Sequence, residues 1–317
     1  MDEATKKMKK KIRKMKLQRL LLTIGLIILL VPVILAVIYK TTQNLASNQS
    51  WQLMKRIEIR EDLLSPNIEA SDNYLSSTSF LGGTVTSHRY KVIDGYRIPW
   101  STLIGNYSWS GYQEDAMNQA GVDYDEETAQ AYDRQTQQKI PLFYSLKHHY
   151  RATANLNQLK QIAQVKNSVA EVALTFSKPL TYQQIKKLLP DSVEQDWYWL
   201  GPNNRGDASY FDNNYLGFQA TDEKPDQIAY RELKKVAKDR DSILNTDITS
   251  FDGYTYNAWN YARRYLKKYP QFKTAKYAGI IVSGQTQNLA QLKNARWIKY
   301  SSVGAVIKIK PYLQPNK

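Results

Sequence analysis

Twenty consecutive uncharged residues, Leu20 to Tyr39 (LLLTIGLIILLVPVILAVIY), lie between Arg19 and Lys40. As a helix rising about 1.5 Å per residue they extend roughly 30 Å, the hydrocarbon thickness of a bilayer. The nineteen residues before them hold nine basic side chains (Lys6, Lys7, Lys9, Lys10, Lys11, Arg13, Lys14, Lys16 and Arg19) against Asp2 and Glu3. Positive charge beside a span stays on the cytoplasmic side. The expected topology is therefore a basic cytoplasmic tail over 1–19, a transmembrane helix over 20–39, and everything after Lys40 outside. A cleaved signal peptide is the rival. Its apolar region usually covers about 7 to 15 residues and ends at a small-x-small site. Here the run is longer, and YKTTQNLASNQSW after Ile38 offers no such site. Pro32 reads as a simple bend, tolerated in lipid where neighbours satisfy the freed carbonyl.

The chain carries a formal charge of +15 over 317 residues. The first nineteen residues supply +7, so the exterior keeps +8 and is basic in its own right. Such a surface favours anionic lipid head groups or anionic wall polymers, although a solvated face explains charge spread this thinly. Absence of cysteine removes disulfides, thiol nucleophiles, Cys-ligated metals and a lipoprotein anchor together. The exterior must hold itself together by burying apolar surface, and it is long enough to do so.

In the tail, Met8, Ile12 and Met15 recur at spacings of four and three, a narrow apolar stripe on a basic helix. The stripe suits anionic lipid on the inner leaflet or a cytoplasmic partner; a topology determinant alone is the plainer explanation.

Beyond the anchor, Thr41 to Ser50 reads as a polar linker. KRIEIRED, alternating around Ile57 and Ile59, reads as a half-buried strand, followed by an SPN loop at Ser65–Asn67. Thr84 to Val92 is rich in strand-formers, and Asp94-Gly95 between two such runs fits a two-residue type I′ hairpin. The acidic cluster Asp123, Asp125, Glu126 and Glu127 lacks the order of a calcium loop. This membrane-proximal, β-rich region is expected over 40–150.

A C-terminal α+β unit is expected over 151–317. It opens with a short helix around Leu156, Leu159 and Ile162, then the strand VAEVALTF, Val169 to Phe176. Thr181-x-x-Gln184 is a capping box opening a helix that stops at Pro190. Trp197-Tyr198-Trp199-Leu200 forms a strand ended by Gly201-Pro202. Helices are expected over Asp226–Leu244 and Tyr254–Tyr269, the second with Tyr254, Ala258, Tyr261, Ala262 and Tyr265 on one face. Strand Tyr277–Ser283, a helix around Leu289–Leu292, and strands Arg296–Tyr300 and Val303–Ile309 complete the chain. Strands mixed with helices but not alternating strictly give the fold class α+β.

The order of anchor, SPN loop, VAEVALTFSKPLTYQQIKKLLP, WYWLG, YAGIIVSGQTQNLAQL and SSVGAVIKI resembles the sigma-factor regulator family of Gram-positive bacteria. Its best-known members are anti-sigma factors of the sigma-M type. The resemblance implies a protein that holds an extracytoplasmic-function sigma factor at the membrane and releases it under envelope stress. A stable interface buries about 1,200–2,000 Å², and nineteen tail residues supply one helix's worth. A co-regulator acting with a second membrane anti-sigma subunit is thus as reasonable as direct sequestration.

No catalytic signature stands out. His88 and the adjacent pair His148-His149 are the only histidines, and neighbours in sequence make a poor chelate. HExxH, GxSxG, Walker-type and GxGxxG motifs are absent. Arg205-Gly206-Asp207 spells an adhesion tripeptide that a polar turn explains. YARRYLKKY could stack on bases, but an exterior position argues against direct nucleic-acid contact. Trp197 and Trp199 share one face of their strand, as core packing requires; a partner groove is the sharper alternative. The expectation is a non-catalytic, single-pass regulator without cofactor or metal. Met8, Ile12, Met15, Trp197 and Trp199 are its candidate partner-binding residues. The competing classes are an anchored binder of wall polymer and a wall-associated enzyme.

Overall fold

The computed structural model describes residues 3–113, 121–125, 127–128, 130–202, 206–222, 224–249 and 253–317. One helix, α1 (Glu3–Leu64), runs unbroken through tail, apolar stretch and the segment beyond. The expected linker at Thr41–Ser50 and the expected strand around Ile57 and Ile59 are both helical. The alternation in KRIEIRED is only a few residues long. Ala46, Ser50, Leu53, Ile57, Arg60 and Leu64, at spacings of four and three, are all buried along one stripe of α1. A helix already nucleated also extends more cheaply than a new strand forms.

Ser65–Asn67 reverses the chain, with Asn67 in the left-handed region at φ 52°. Four antiparallel strands follow as a meander: β1 (Glu69–Thr78), β2 (Gly82–Ile93), β3 (Tyr96–Ser108) and β4 (Gly111–Gln113). The β2–β3 turn is the hairpin expected at Asp94-Gly95, whose φ values of 50° and 86° are both positive, as a type I′ turn requires. This sheet stands along α1 and packs Val85, Leu103 and Tyr107 against Ala46, Leu53 and Ile57. Three short strands, β5 (Val122–Asp125), β6 (Gln130–Asp133) and β7 (Lys139–Ile140), form a small second sheet.

The largest core belongs to the C-terminal part. Its elements are α2 (Leu159–Ile162), β8 (Ser168–Thr181), α3 (Tyr182–Leu188), β9 (Glu194–Gly201), β10 (Leu216–Thr221), β11 (Lys224–Pro225), α4 (Gln227–Val236), β12 (Asp247–Thr249), β13 (Thr255–Asn257), α5 (Ala258–Lys268), β14 (Lys276–Gln285), α6 (Thr286–Leu289) and β15 (Ile298–Lys308). The six-stranded order is β11-β10-β9-β14-β8-β15, with every neighbouring pair among β10, β9, β14, β8 and β15 antiparallel. β8 and β9 thus run parallel with β14 between them, and β14 and β15 run parallel with β8 between them. These are two interlocked split β-α-β units, the ferredoxin-like order extended by the β10–β11 hairpin.

The Thr181/Gln184 capping box forms in both directions at α3. The helices expected over 226–244 and 254–269 are shorter. α4 ends at Val236, and Asp239 accepts the Asp241 N–H at 3.0 Å in the turn beyond it. α5 starts only after Asn257, whose side chain caps the Asn260 N–H at 2.8 Å, while Thr255–Asn257 is taken into β13. The two strands expected at 296–300 and 303–309 are the single strand β15, with a register shift between Val303 and Val306. A Cβ at Gly304 would come within 2.6 Å of the Glu171 side chain.

That side chain joins the two large sheets. Glu171 on β8 and Lys91 on β2 are both fully buried, with Nζ donating to Oε1 at 2.8 Å and to Oε2 at 3.0 Å. Asn67 of the SPN turn donates to Oε2 at 3.0 Å, and the Ala305 N–H of β15 donates to Oε1 at 3.3 Å. The ammonium also lies 4.1 Å from the Trp100 ring centroid. Removing one partner of a buried pair strands the other charge, which costs about 3–5 kcal/mol. Glu171→Ala should therefore lower unfolding free energy by about 3–5 kcal/mol in chemical denaturation, and Lys91→Met combined with Glu171→Leu should recover most of that loss.

Candidate functional site: the outer half of the long helix

From Ala46 onward α1 changes from a helix with no buried residue to one held on two sides. Toward the four-stranded sheet, Leu53 contacts Gly105 so closely that a Cβ there would lie 3.0 Å from Leu53 Cδ2. Glu61 accepts hydrogen bonds from Ser87 on β2 at 2.6 Å and from Asn73 on β1 at 3.0 Å. Toward the six-stranded sheet, Arg60 donates to the Asn214 side-chain oxygen that precedes β10. Arg56 donates to the Asp241 carbonyl beyond α4 and lies 5.3 Å from the Tyr112 ring on β4. Leu63 and Leu64 enter the main core. A change in how the two sheets sit would therefore act on α1 directly. A cleft of about 340 Å³ opens beside this clamp, lined by Lys55, Arg56, Tyr112, Glu232 and Asp239 among others.

Carboxylates crowd the same stretch. Desolvation raises the Glu61 carboxyl, opposed by its hydrogen bonds from Ser87 and Asn73. Asp62 keeps solvent access but is pushed up to about 6, first by desolvation and then by the negative charges of Asp226, Glu61, Glu58 and Glu232.

The structure places the residues singled out from sequence in two settings. Met8, Ile12 and Met15 are exposed along the first turns of α1. Trp197 and Trp199 are fully buried on β9. The Trp199 ring stacks on Phe143 at 4.5 Å, and the Trp197 indole fills the space left by Gly217, where a Cβ would approach it to 2.3 Å. Their surfaces are taken up by the protein's own side chains. Tyr198, on the other face, meets Tyr277 at 5.0 Å. Of the Arg205-Gly206-Asp207 tripeptide, Arg205 lies outside the described residues. Asp207 is buried, accepting from Ser209 N at 2.9 Å and Tyr150 Oη at 3.0 Å. Glu126 of the acidic cluster is likewise outside the described residues. His88 faces Asp72 at 3.0 Å and His148 faces Asp207 at 3.7 Å. Among the described residues, no group of three or more metal-ligating side chains comes together. Sequence reasoning missed Arg56, Arg60, Glu61, Lys91 and Glu171. The stripe from Ala46 to Leu64 was a signal that could have found the first three.

The fold and this clamp define a protein built on one helix long and apolar enough to cross a membrane, fastened at its far end into a mixed α+β body. The family described as Sigma factor regulator N-terminal matches residues 9–98, from the tail through α1 to the start of β3. Sigma factor regulator C-terminal matches residues 159–305, from α2 into β15. The chain belongs to the sigma-factor regulator family, and with it to the regulators of sigma factors. Lys91 falls in the first matched segment and Glu171 in the second, so the buried pair ties them together. Comparison with curated proteins and with solved structures gives no match.

The Asp62 environment sets a pH signature. Its folded carboxyl titrates near 6 and its unfolded one near the ordinary 3.8, so the folded state binds the extra proton between those values. Stability consequently falls as pH rises through that window. Asp62→Asn is expected to raise the thermal unfolding midpoint at pH 7.5 and leave it unchanged near pH 3, as read by circular dichroism.

Proposed function

We propose that this protein is a non-catalytic, single-pass membrane regulator that controls an extracytoplasmic-function sigma factor in response to envelope conditions. Leu20–Tyr39 spans the bilayer, residues 1–19 lie in the cytoplasm, and the α+β body lies outside. The excess of Lys and Arg ahead of the apolar stretch supports that orientation. The observation that carries the reading is the continuity of α1 from the exposed Met8/Ile12/Met15 stripe to the clamp at Leu53–Leu64. A force or rotation applied to the body reaches the tail along one continuous helix, whose hydrogen-bond ladder lacks the bond that Pro32 cannot donate.

The tail acts on the sigma factor directly as an anti-sigma factor, or through a second membrane anti-sigma subunit as a co-regulator. One exposed helix buries less than the roughly 1,200–2,000 Å² of a stable interface, which favours a shared interface. The basic exterior is compatible with anionic wall polymer as the contacted material.

Cross-linking followed by pull-down of the intact protein from membranes should recover a sigma factor, a second anti-sigma subunit, or both. Met8→Ser, Ile12→Ser and Met15→Ser together should abolish that capture while leaving the protein in the membrane fraction. Recovery of neither partner, in stressed and unstressed cells alike, would turn the assignment toward a wall-binding protein. Continuity has its own test. Gln43→Pro breaks the helix between span and body at a cost of about 3 kcal/mol or more. It should leave partner capture intact and fix the output of a sigma-dependent reporter so that envelope stress no longer changes it.

A further inference from the structure

The β1–β2 and β3–β4 turns carry an apolar surface that the body does not cover. Phe80 is 50% exposed, Leu81 43% and Trp109 46%. The two turns are joined, since the Trp109 N–H donates to the Leu81 carbonyl at 2.8 Å. Their position follows from the chain path. α1 climbs about 37 Å from Tyr39 to Leu64 at 1.5 Å per residue. The chain then reverses at Ser65–Asn67, and the ten residues of β1 descend about 33 Å. The descent ends where the climb began: the Phe80 ring lies 6.0 Å, centroid to centroid, from the ring of Tyr39, the last residue of the apolar stretch. β3 makes the same descent and ends at Ser108, one residue before Trp109.

The two turns themselves carry no charge. No Asp, Glu, Lys, Arg or His occurs from Leu75 to Ser87 or from Ile98 to Gln113, so both turns and the strand ends that carry them are uncharged. The turn polar groups are satisfied locally: Ser79 Oγ accepts from Gly82 N at 3.2 Å and Leu81 N at 3.3 Å, and Ser108 Oγ lies 2.9 Å from Ser110 Oγ. Turns whose Ser79, Leu81, Gly82, Trp109 and Ser110 N–H groups are already paired, with aromatic and aliphatic tips and no charge, are what the boundary between head groups and acyl chains accepts.

We propose that the paired turns bearing Phe80, Leu81 and Trp109 dock into the lipid leaflet on the body's side of the bilayer, making a second membrane contact beside the helix. The partner is the phospholipid interface itself, because the patch is continuous with the end of the apolar stretch. The inference rests on the reading that Leu20–Tyr39 spans the bilayer. The docked turns hold the four-stranded sheet upright against α1. Bending of the body relative to the membrane is then resisted by lipid as well as by the helix.

The chain has no cysteine, so single labelling sites are clean. The full-length protein in phosphatidylcholine–phosphatidylglycerol nanodiscs would carry a polarity-sensitive fluorophore at Ser110→Cys, at Val31→Cys in the span, or at Lys187→Cys on α3. Shallow doxyl-lipid quenchers should remove emission at position 110, deep ones at position 31, and neither at position 187. Adding Phe80→Ser and Trp109→Ser should abolish the quenching at 110 and leave that at 31 and the thermal unfolding midpoint unchanged. Quenching at 31 without quenching at 110 overturns the docked turns while the span stands. Loss of quenching at both sites overturns the span itself. A blue-shifted label at 110 that lipid quenchers do not touch means that a protein, and not lipid, covers the patch, and also overturns the proposal.

Discussion

A carboxylate and an ammonium taken wholly out of water must find each other, and Lys91 and Glu171 do so across the boundary between the two large sheets. Desolvation lowers the Lys91 pKa, and the facing Glu171 charge with its hydrogen bonds opposes that. The carboxylate oxygens also take the Asn67 amide and the Ala305 N–H. Three separate pieces of backbone thereby converge on one side chain: the turn that ends α1, strand β2 and strand β15. Each is held in register because misplacing it would leave a buried charge or amide unpaired. Gly304 leaves the room in which Glu171 lies.

The consequence for α1 is geometric. With the two sheets fixed to one another, the helix between them has one seat. Leu53 and Ile57 face the four-stranded sheet, Arg56 and Arg60 reach toward the elements around β10 and α4, and Glu61 is tied to β1 and β2. A rod seated this way moves when its seat moves. That coupling is what the proposed role in signalling requires.

Several elements were legible from local pattern because their determinants are local. The Asp94-Gly95 turn needs two positive φ angles, and those residues tolerate them. The Thr181/Gln184 box closes over three residues. Val169–Phe176 is buried at every position, and apolar on both faces apart from Glu171 and Thr175, because β8 lies inside its sheet, between β14 and β15. The segment around Ile57 and Ile59 was misread because a short period-two pattern lies within a longer helical one, and the longer one buries more surface. The two strands expected over 296–300 and 303–309 are one because Ser301 and Ser302 continue the ladder opposite Leu174 and Ala173, a pairing set by a distant strand. What the clamp on α1 would grip was illegible for a different reason. Its partners Asn73, Ser87, Asn214 and Asp241 lie far along the chain and belong to no motif.

What the sequence alone determined is whatever depends on neighbours in the chain: the apolar stretch and the basic tail before it, the capped helix, the hairpin and most strands. Tertiary structure decided which of many similar Lys and Glu residues would be buried together, which stripe of α1 would be gripped, and that two uncharged turns would come to rest beside Tyr39. Local propensity acts over a few residues of chain. The pairing of Lys91 with Glu171 spans 80 residues, and only the folded arrangement of both sheets makes it the lowest-energy way to bury either charge.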